Sequence, residues 1–168
     1  MPATGQEQCR TRARVDAYSS HMTPTTFSDA IVRLALAGAL GGAIGLEREY
    51  HHKPAGLRTN MLIALGSALF SILSVEWGAG AGSPDRIAAQ VVTGIGFLGA
   101  GAILRSGENI HGLTTAATIW VNAAIGMAAG LGSYVVAASA AALTLIVLAI
   151  LPFIERRFEE RDRNTHRW

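Results

Sequence analysis

Between Leu113 and Ile154 the chain carries no Asp, Glu, Lys or Arg. Such a run is about twice the roughly 20 residues that a helix needs to cross a bilayer, so it must cross twice. Lipid offers no hydrogen-bond partner to a bare backbone, and the two crossings must therefore be helical. The break falls at Gly130, Leu131, Gly132 and Ser133, where two glycines let the backbone reverse. Two further charge-free runs, 59–75 and 87–104, each approach the spanning length, and a weaker one lies between Asp29 and Glu47, interrupted by Arg33. Near a span end, the long arginine stem reaches the headgroups at modest cost.

The pattern predicts an all-α, multi-pass transmembrane helical bundle of about five spans. It divides the chain into an N-terminal extension, 1–27, that reads as disordered or as a mis-called start, a membrane domain, 28–154, and a short basic cytoplasmic tail, 155–168. The first 21 residues have no apolar core and do not read as a signal peptide. Thr26 or Ser28 is a candidate cap for the first helix, with Asp29 in its first turn. With five spans, one face of the membrane takes Arg10, Arg12, Arg14, Arg33 and Arg86. The other takes Arg48, Lys53, Arg58, Arg105 and the arginines of the tail. The richer face is cytoplasmic by the positive-inside rule, which sets the N-terminus out and the C-terminus in.

Composition excludes several classes of function. With 50% hydrophobic and 15% charged residues, this is no ordinary soluble domain. The single Cys9 rules out a disulfide framework, and a net charge of +2 gives no nucleic-acid-binding balance. No serine stands with a usable histidine and acid, no carboxylates pair inside a span, and no glycine loop leads to lysine. The expectation is a protein that is not an enzyme and holds no cofactor.

Small residues recur at helix-packing intervals: Gly38 with Gly42, Gly41 with Gly45, Gly126 with Gly130, and Gly94, Gly96, Gly99 and Gly101 together in the third span. Close backbone approach is how helices associate in lipid, so these read as packing positions. Polar residues also align. Asn60, Ser67, Ser71 and Ser74 share one face of the second span; Thr115, Thr118 and Asn122 share one face of the fourth; Gln90 and Thr93 form a shorter patch on the third. Interhelical hydrogen bonding accounts for such faces, and a hydrated ion path is the sharper alternative. No acidic residue lies deep in a span to neutralise a dehydrated cation.

The remaining charges gather at the cytoplasmic ends: Glu47, Arg48 and Glu49, then Arg58 and Arg105. Glu47 and Arg58 flank the loop HHKPAG and are expected to pair across it. A boundary ion-pair network and a regulatory ion or partner site are both open readings there. His51 and His52 are adjacent, point apart on any helix, and read as solvated loop residues. Glu76, Asp85 and Arg86 on the other face make no cation site by themselves. Asn109 and His111, in the loop SGENIHG, are polar positions that a partner could read.

In this order, GGAIGLERE, KPAGLRTNMLIALGSALF, DRIAAQVVTGIGFLGAGAIL and GLTTAATIWVNAAIGMAAGLG resemble the MgtC/SapB family of bacterial inner-membrane proteins. The resemblance covers about residues 30–154. Matching positions include Gly45, Glu47 and Arg48, then Arg58, Arg86, Gln90 and the third-span glycines, and then Asn109, Thr115 and Trp120. Asn109 falls where the family carries a functionally important asparagine. The resemblance implies a multi-pass domain in the bacterial cytoplasmic membrane, linked to growth at low magnesium and to survival inside macrophages. For the family's virulence members it also implies action by restraining the membrane sector of the F-type ATP synthase in place of direct magnesium transport. Family members often carry an ACT-like domain after the last span, and this chain stops about fourteen residues beyond it.

Two functions follow from these readings. One is a non-enzymatic regulator that docks on another membrane protein, alone or as a homo-oligomer, with Glu47, Arg58 and Asn109 governing the contact. The other is a small magnesium or other cation transporter or channel, its path lined by Asn60, Ser67, Gln90, Thr118 and Asn122, with Glu47 at the mouth.

Overall fold

The structure, a computed structural model, describes the backbone of residues 26–78, 86–106 and 109–165, and side chains within 26–77, 86–103 and 111–152. The extension before residue 26, Asp85, and the side chains of Arg105, Asn109 and the 155–168 tail lie outside the described residues. Among the described residues five helices form: α1 (Phe27–Tyr50), α2 (Leu57–Gly78), α3 (Arg86–Gly101), α4 (Leu113–Gly130) and α5 (Tyr134–Thr165). A two-stranded antiparallel hairpin, β1 (Leu104–Ser106) and β2 (Asn109–His111), joins α3 to α4 and pairs Leu104 with His111. The sequence reading had no strand here. The strands carry Leu104, Arg105 and Ser106 against Asn109, Ile110 and His111, and left-handed Gly112 (φ 89°) ends the second.

Thr26 caps α1 in an extended conformation, without a side-chain bond to the helix. The helix stops where the His51 and His52 N–H groups bond back to the Glu47 and Glu49 carbonyls. Left-handed backbone at His52 and Ala55 then reverses the chain into α2. At the other end of the bundle α4 closes on Gly130 and α5 opens at Tyr134, with left-handed Gly132 (φ 78°) making the turn.

Four helices, α1, α2, α4 and α5 up to Pro152, are long and apolar enough to cross a membrane. The third has 16 residues, about 24 Å of helix against a hydrocarbon core of about 30 Å. Its path nevertheless runs the length of the bundle. Asn122 meets Asn60, Gly126 meets Ala64 and Gly130 meets Ala68, all at one constant offset, so α2 and α4 are parallel neighbours. A chain that leaves the far end of α2 must come back before it can start α4. The return is α3, from the Ala88 contact with Ser74 to the Gly99 contact with Ala116. The first helix lies antiparallel to α4, with Arg33 at Gly130 and Arg48 at Thr115. The start of α1 and the end of α5 consequently lie at opposite ends of the bundle.

The core is built from small side chains. Ala37, Ala64, Ala68, Ala129, Ala137 and Ala141 are buried together with Ile44 and Ile125, and a second cluster joins Ile63, Ile95, Ile119 and Ala123. The large apolar residues face outward instead: Phe27 and Phe97 are each 82% exposed, Val135 83% and Leu62 69%. An apolar exterior around a core of alanine and glycine is the inverse of a water-soluble domain, and it places the chain in lipid as a multi-pass membrane protein.

Candidate functional site

Two of the three polar faces meet. Asn122 Nδ2 donates to the Asn60 backbone carbonyl at 2.8 Å and to Asn60 Oδ1 at 3.0 Å, and both residues are fully buried. Asn60 turns its own amide back to the Ala55 and Gly56 carbonyls at the start of α2. Ser71 donates to the Ser67 carbonyl (2.8 Å) and Thr118 to the Thr114 carbonyl (2.7 Å), while Ser74 Oγ accepts from the Ala88 N–H (3.1 Å). The hydroxyls thus serve backbone one turn away or on the next helix. One acceptor in this seam is left over: Asn122 Oδ1 is buried with no donor. The third polar patch stays outside, because Gln90 and Thr93 are exposed.

Glycine decides how near these helices come. A Cβ added at Gly126 would overlap the Ala64 backbone, and one at Gly130 would lie 2.7 Å from Ala68 Cα. On α1, Gly45 sits against Leu57 Cα, Gly42 against Met61 and Gly38 against Leu65. The glycines of α3 are different. Only Gly99 has a neighbour, Ala116 at 3.8 Å; at Gly94, Gly96 and Gly101 an added Cβ would meet nothing within 4 Å. The reading of these three as packing positions is therefore corrected within this chain: Gly94 and Gly101 border a hollow between α3 and α2, and Gly96 has open space beside it.

The boundary charges also depart from the expected arrangement. Glu47 pairs with His51 Nδ1 at 3.2 Å and not with Arg58, because the six-residue loop carries Arg58 to the far side of α2. Glu47 Oε2 is buried without a donor. Glu49 reaches across the loop to accept from the Leu57 N–H at 2.9 Å, a carboxylate on the N-terminus of α2. Arg48, one of the charges that the sequence gathers at the cytoplasmic ends, is 5% exposed, and its Nη2 donates to Thr115 Oγ1 at 3.0 Å. Its Nε has no partner. At the opposite end Arg33 pairs with Asp29 (2.6 Å) and donates to the Gly130 carbonyl (2.9 Å). Arg86 and Glu76 are exposed, and among the described residues no three of His, Cys, Asp and Glu come together.

A groove of about 950 Å³ runs between α2 and α3 and reaches Thr115 and Ile119 of α4. Arg58 lines it, and so does Gln90. Nothing in the hydropathy pattern announces it; the only signal was that Gly66, Gly94 and Gly101 leave one side of each helix bare.

A sequence profile described as the MgtC family matches residues 34–157. The putative magnesium transporter YhiD of Escherichia coli (strain K12) is 50% identical over 143 residues, 81% of this chain and 66% of that protein. Protein MgtC of Brucella abortus (strain 2308) is 52% identical over 118 residues, 69% of this chain and 49% of the relative. Protein MgtC of Salmonella typhimurium (strain LT2) is 50% identical over 118 residues, 70% and 49% of the two chains. The chain thus spans about half to two thirds of the length of these curated relatives. No solved structure matches it.

Proposed function

From the premise that this chain belongs to the MgtC family, we infer that it is a non-enzymatic protein of the bacterial inner membrane that serves adaptation to low magnesium by modulating another membrane protein. The membrane sector of the F-type ATP synthase is the partner that the family resemblance suggests. The bundle is set with its N-terminus out and its C-terminus in, so that Glu47, Arg58 and the β1–β2 hairpin lie on the cytoplasmic side.

One observation carries this reading over a transporter: the polar seam between α2 and α4 is closed. Asn60 and Asn122 bond each other, the hydroxyls bond backbone, and Gly126 and Gly130 lie flush on Ala64 and Ala68. A permeating cation needs oxygens that face a path. Here those of Asn60, Ser71 and Thr118 face the protein, while Ser67 and Gln90 line the groove between α2 and α3. A regulator works by binding one state of its partner better than another, which asks only for an outer surface and a rigid frame.

The second reading is a magnesium or other cation carrier, and the donorless Asn122 Oδ1 favours it, together with the name that the Escherichia coli relative carries. Purified protein in liposomes separates the two. The regulator reading expects magnesium flux no higher than in empty vesicles, and crosslinking in native membranes that captures a second membrane protein. Flux that falls in Asn122→Ala would establish the carrier instead.

A further inference from the structure

The groove between α2 and α3 has no part in that reading. It follows α2 from Thr59 to Phe70 and α3 from Ile87 to Gly101, about 17 Å and 21 Å of helix. That is deep enough for a chain filling one leaflet, about half of a ~30 Å hydrocarbon core. Its walls are apolar through Leu62, Ile63, Phe70, Ile95 and Leu98, and it is kept hollow by Gly66, Gly94 and Gly101, where an added Cβ would meet nothing within 4 Å.

Among the described residues charge is found at one end only: Arg58 is the single ionic residue of the lining, beside Thr59 and Thr115, and no Asp or Glu lines the groove. Behind Thr115 lies the Arg48 guanidinium, 3.0 Å from the threonine oxygen and almost fully buried. The nearby carboxylates are engaged elsewhere, Glu49 with the Leu57 N–H and Glu47 with His51. An apolar slot one leaflet deep, with two arginines at the headgroup end, has the polarity of a phospholipid with a negative head. Basic pockets between membrane helices recognise such headgroups.

We propose that this groove is a binding site for one anionic phospholipid, its acyl chain between α2 and α3 and its phosphate at Arg58. A helix from a second copy is the other occupant to consider, since α3 also bares Gly96. The carboxylates that such a copy would bring to the depth of Arg58, Glu47 and Glu49, are held by His51 and the Leu57 N–H, and the cationic mouth argues for the lipid. The inference is independent of the regulator reading, because it needs neither a protein partner nor ion flux.

The full chain in mild detergent, then in nanodiscs, provides the test. Phosphatidylglycerol is expected to be retained as one molecule per protein by native mass spectrometry and to raise the thermal midpoint, whereas phosphatidylcholine is retained less and stabilises less. Arg58→Gln should cut the preference for phosphatidylglycerol about fivefold, the worth of one arginine at an anionic surface. Gly94→Leu, which fills the hollow without touching a charge, should reduce retention of both lipids, and it keeps the test decisive if Arg58→Gln folds poorly. Equal retention of the two lipids would overturn the proposal. So would a full effect from glycerol 3-phosphate alone, which has the head and no chain, or a Gly94→Cys disulfide between copies that excludes lipid.

Discussion

One amide group ties two parallel helices: Asn122 Nδ2 on α4 donates at once to the backbone carbonyl and the side-chain oxygen of Asn60 on α2, at 2.8 and 3.0 Å. Both residues are fully buried, so neither finds water when the other is lost. Asn122→Ala and Asn60→Ala are each expected to lower stability by about 1–3 kcal/mol, the cost of a buried group left unpaired. The double variant should cost less than their sum, with a coupling of about 0.5–2 kcal/mol. Unfolding of the four proteins in mixed micelles with rising dodecyl sulfate measures it. Simple additivity would refute the bond.

Glycine substitutions should split by helix. At Gly126 and Gly130 a Cβ collides with the Ala64 and Ala68 backbone, and backbone cannot give way as a flexible side-chain end can. Alanine at either is expected to destabilise by about 1–3 kcal/mol, as overpacking does. At Gly94 and Gly96 the space is open, and alanine there should stabilise by up to about 1 kcal/mol through helix propensity. The same micelle titration reads both signs. A loss at Gly94→Ala as large as that at Gly126→Ala would mean that α3 packs where the structure leaves it bare.

The contrast between these glycines shows how far the sequence reaches. Spacing located every helix among the described residues, because charge-free length and paired glycines are one-dimensional signals. Spacing also put Asn60 and Asn122 on interior faces, since a polar residue in lipid has to turn inward. It treated Gly94 and Gly126 alike, because a small residue looks the same whether a helix or a void lies opposite. Arg48 was misplaced for a related reason: its neighbours Glu47 and Glu49 mark a boundary, but helix rotation points the middle residue inward at Thr115, 67 positions away. Rotation about the helix axis is a tertiary property, whereas the Glu47–His51 pairing that replaced the expected partner Arg58 is a local contact four residues apart, which the spacing already held.

The Arg48 guanidinium has Thr115 Oγ1 as its one side-chain partner among the described residues. Taking away the acceptor and taking away the charge should therefore differ. Thr115→Val leaves a buried cation without that bond and is expected to cost at least about 1–3 kcal/mol. Arg48→Met removes the desolvated charge together with its need for a partner, and should be near neutral or stabilising. Denaturation midpoints in detergent rank the two variants against the parent. If Arg48→Met falls as far as Thr115→Val, the arginine is held by more than the threonine.

The parallel run of α2 and α4 fixes which loops share a side, whatever the short length of α3. Positions 76 and 133 lie at one end of the bundle, and positions 52 and 111 at the other. With Cys9→Ser as background, single cysteines at Glu76, Ser133, His52 and His111 can be challenged in intact cells by a thiol reagent that does not cross membranes. All four residues are exposed. Arg48, Lys53, Arg58 and Arg105 gather at the second end, so the positive-inside rule sets that end in the cytoplasm. Glu76→Cys and Ser133→Cys are expected to label in intact cells, and His52→Cys and His111→Cys only after lysis. Labelling of His111→Cys from outside together with Glu76→Cys, with Ser133→Cys protected like His52→Cys, would mean that α3 does not cross, and would undo the parallel arrangement on which the Asn60–Asn122 bond depends.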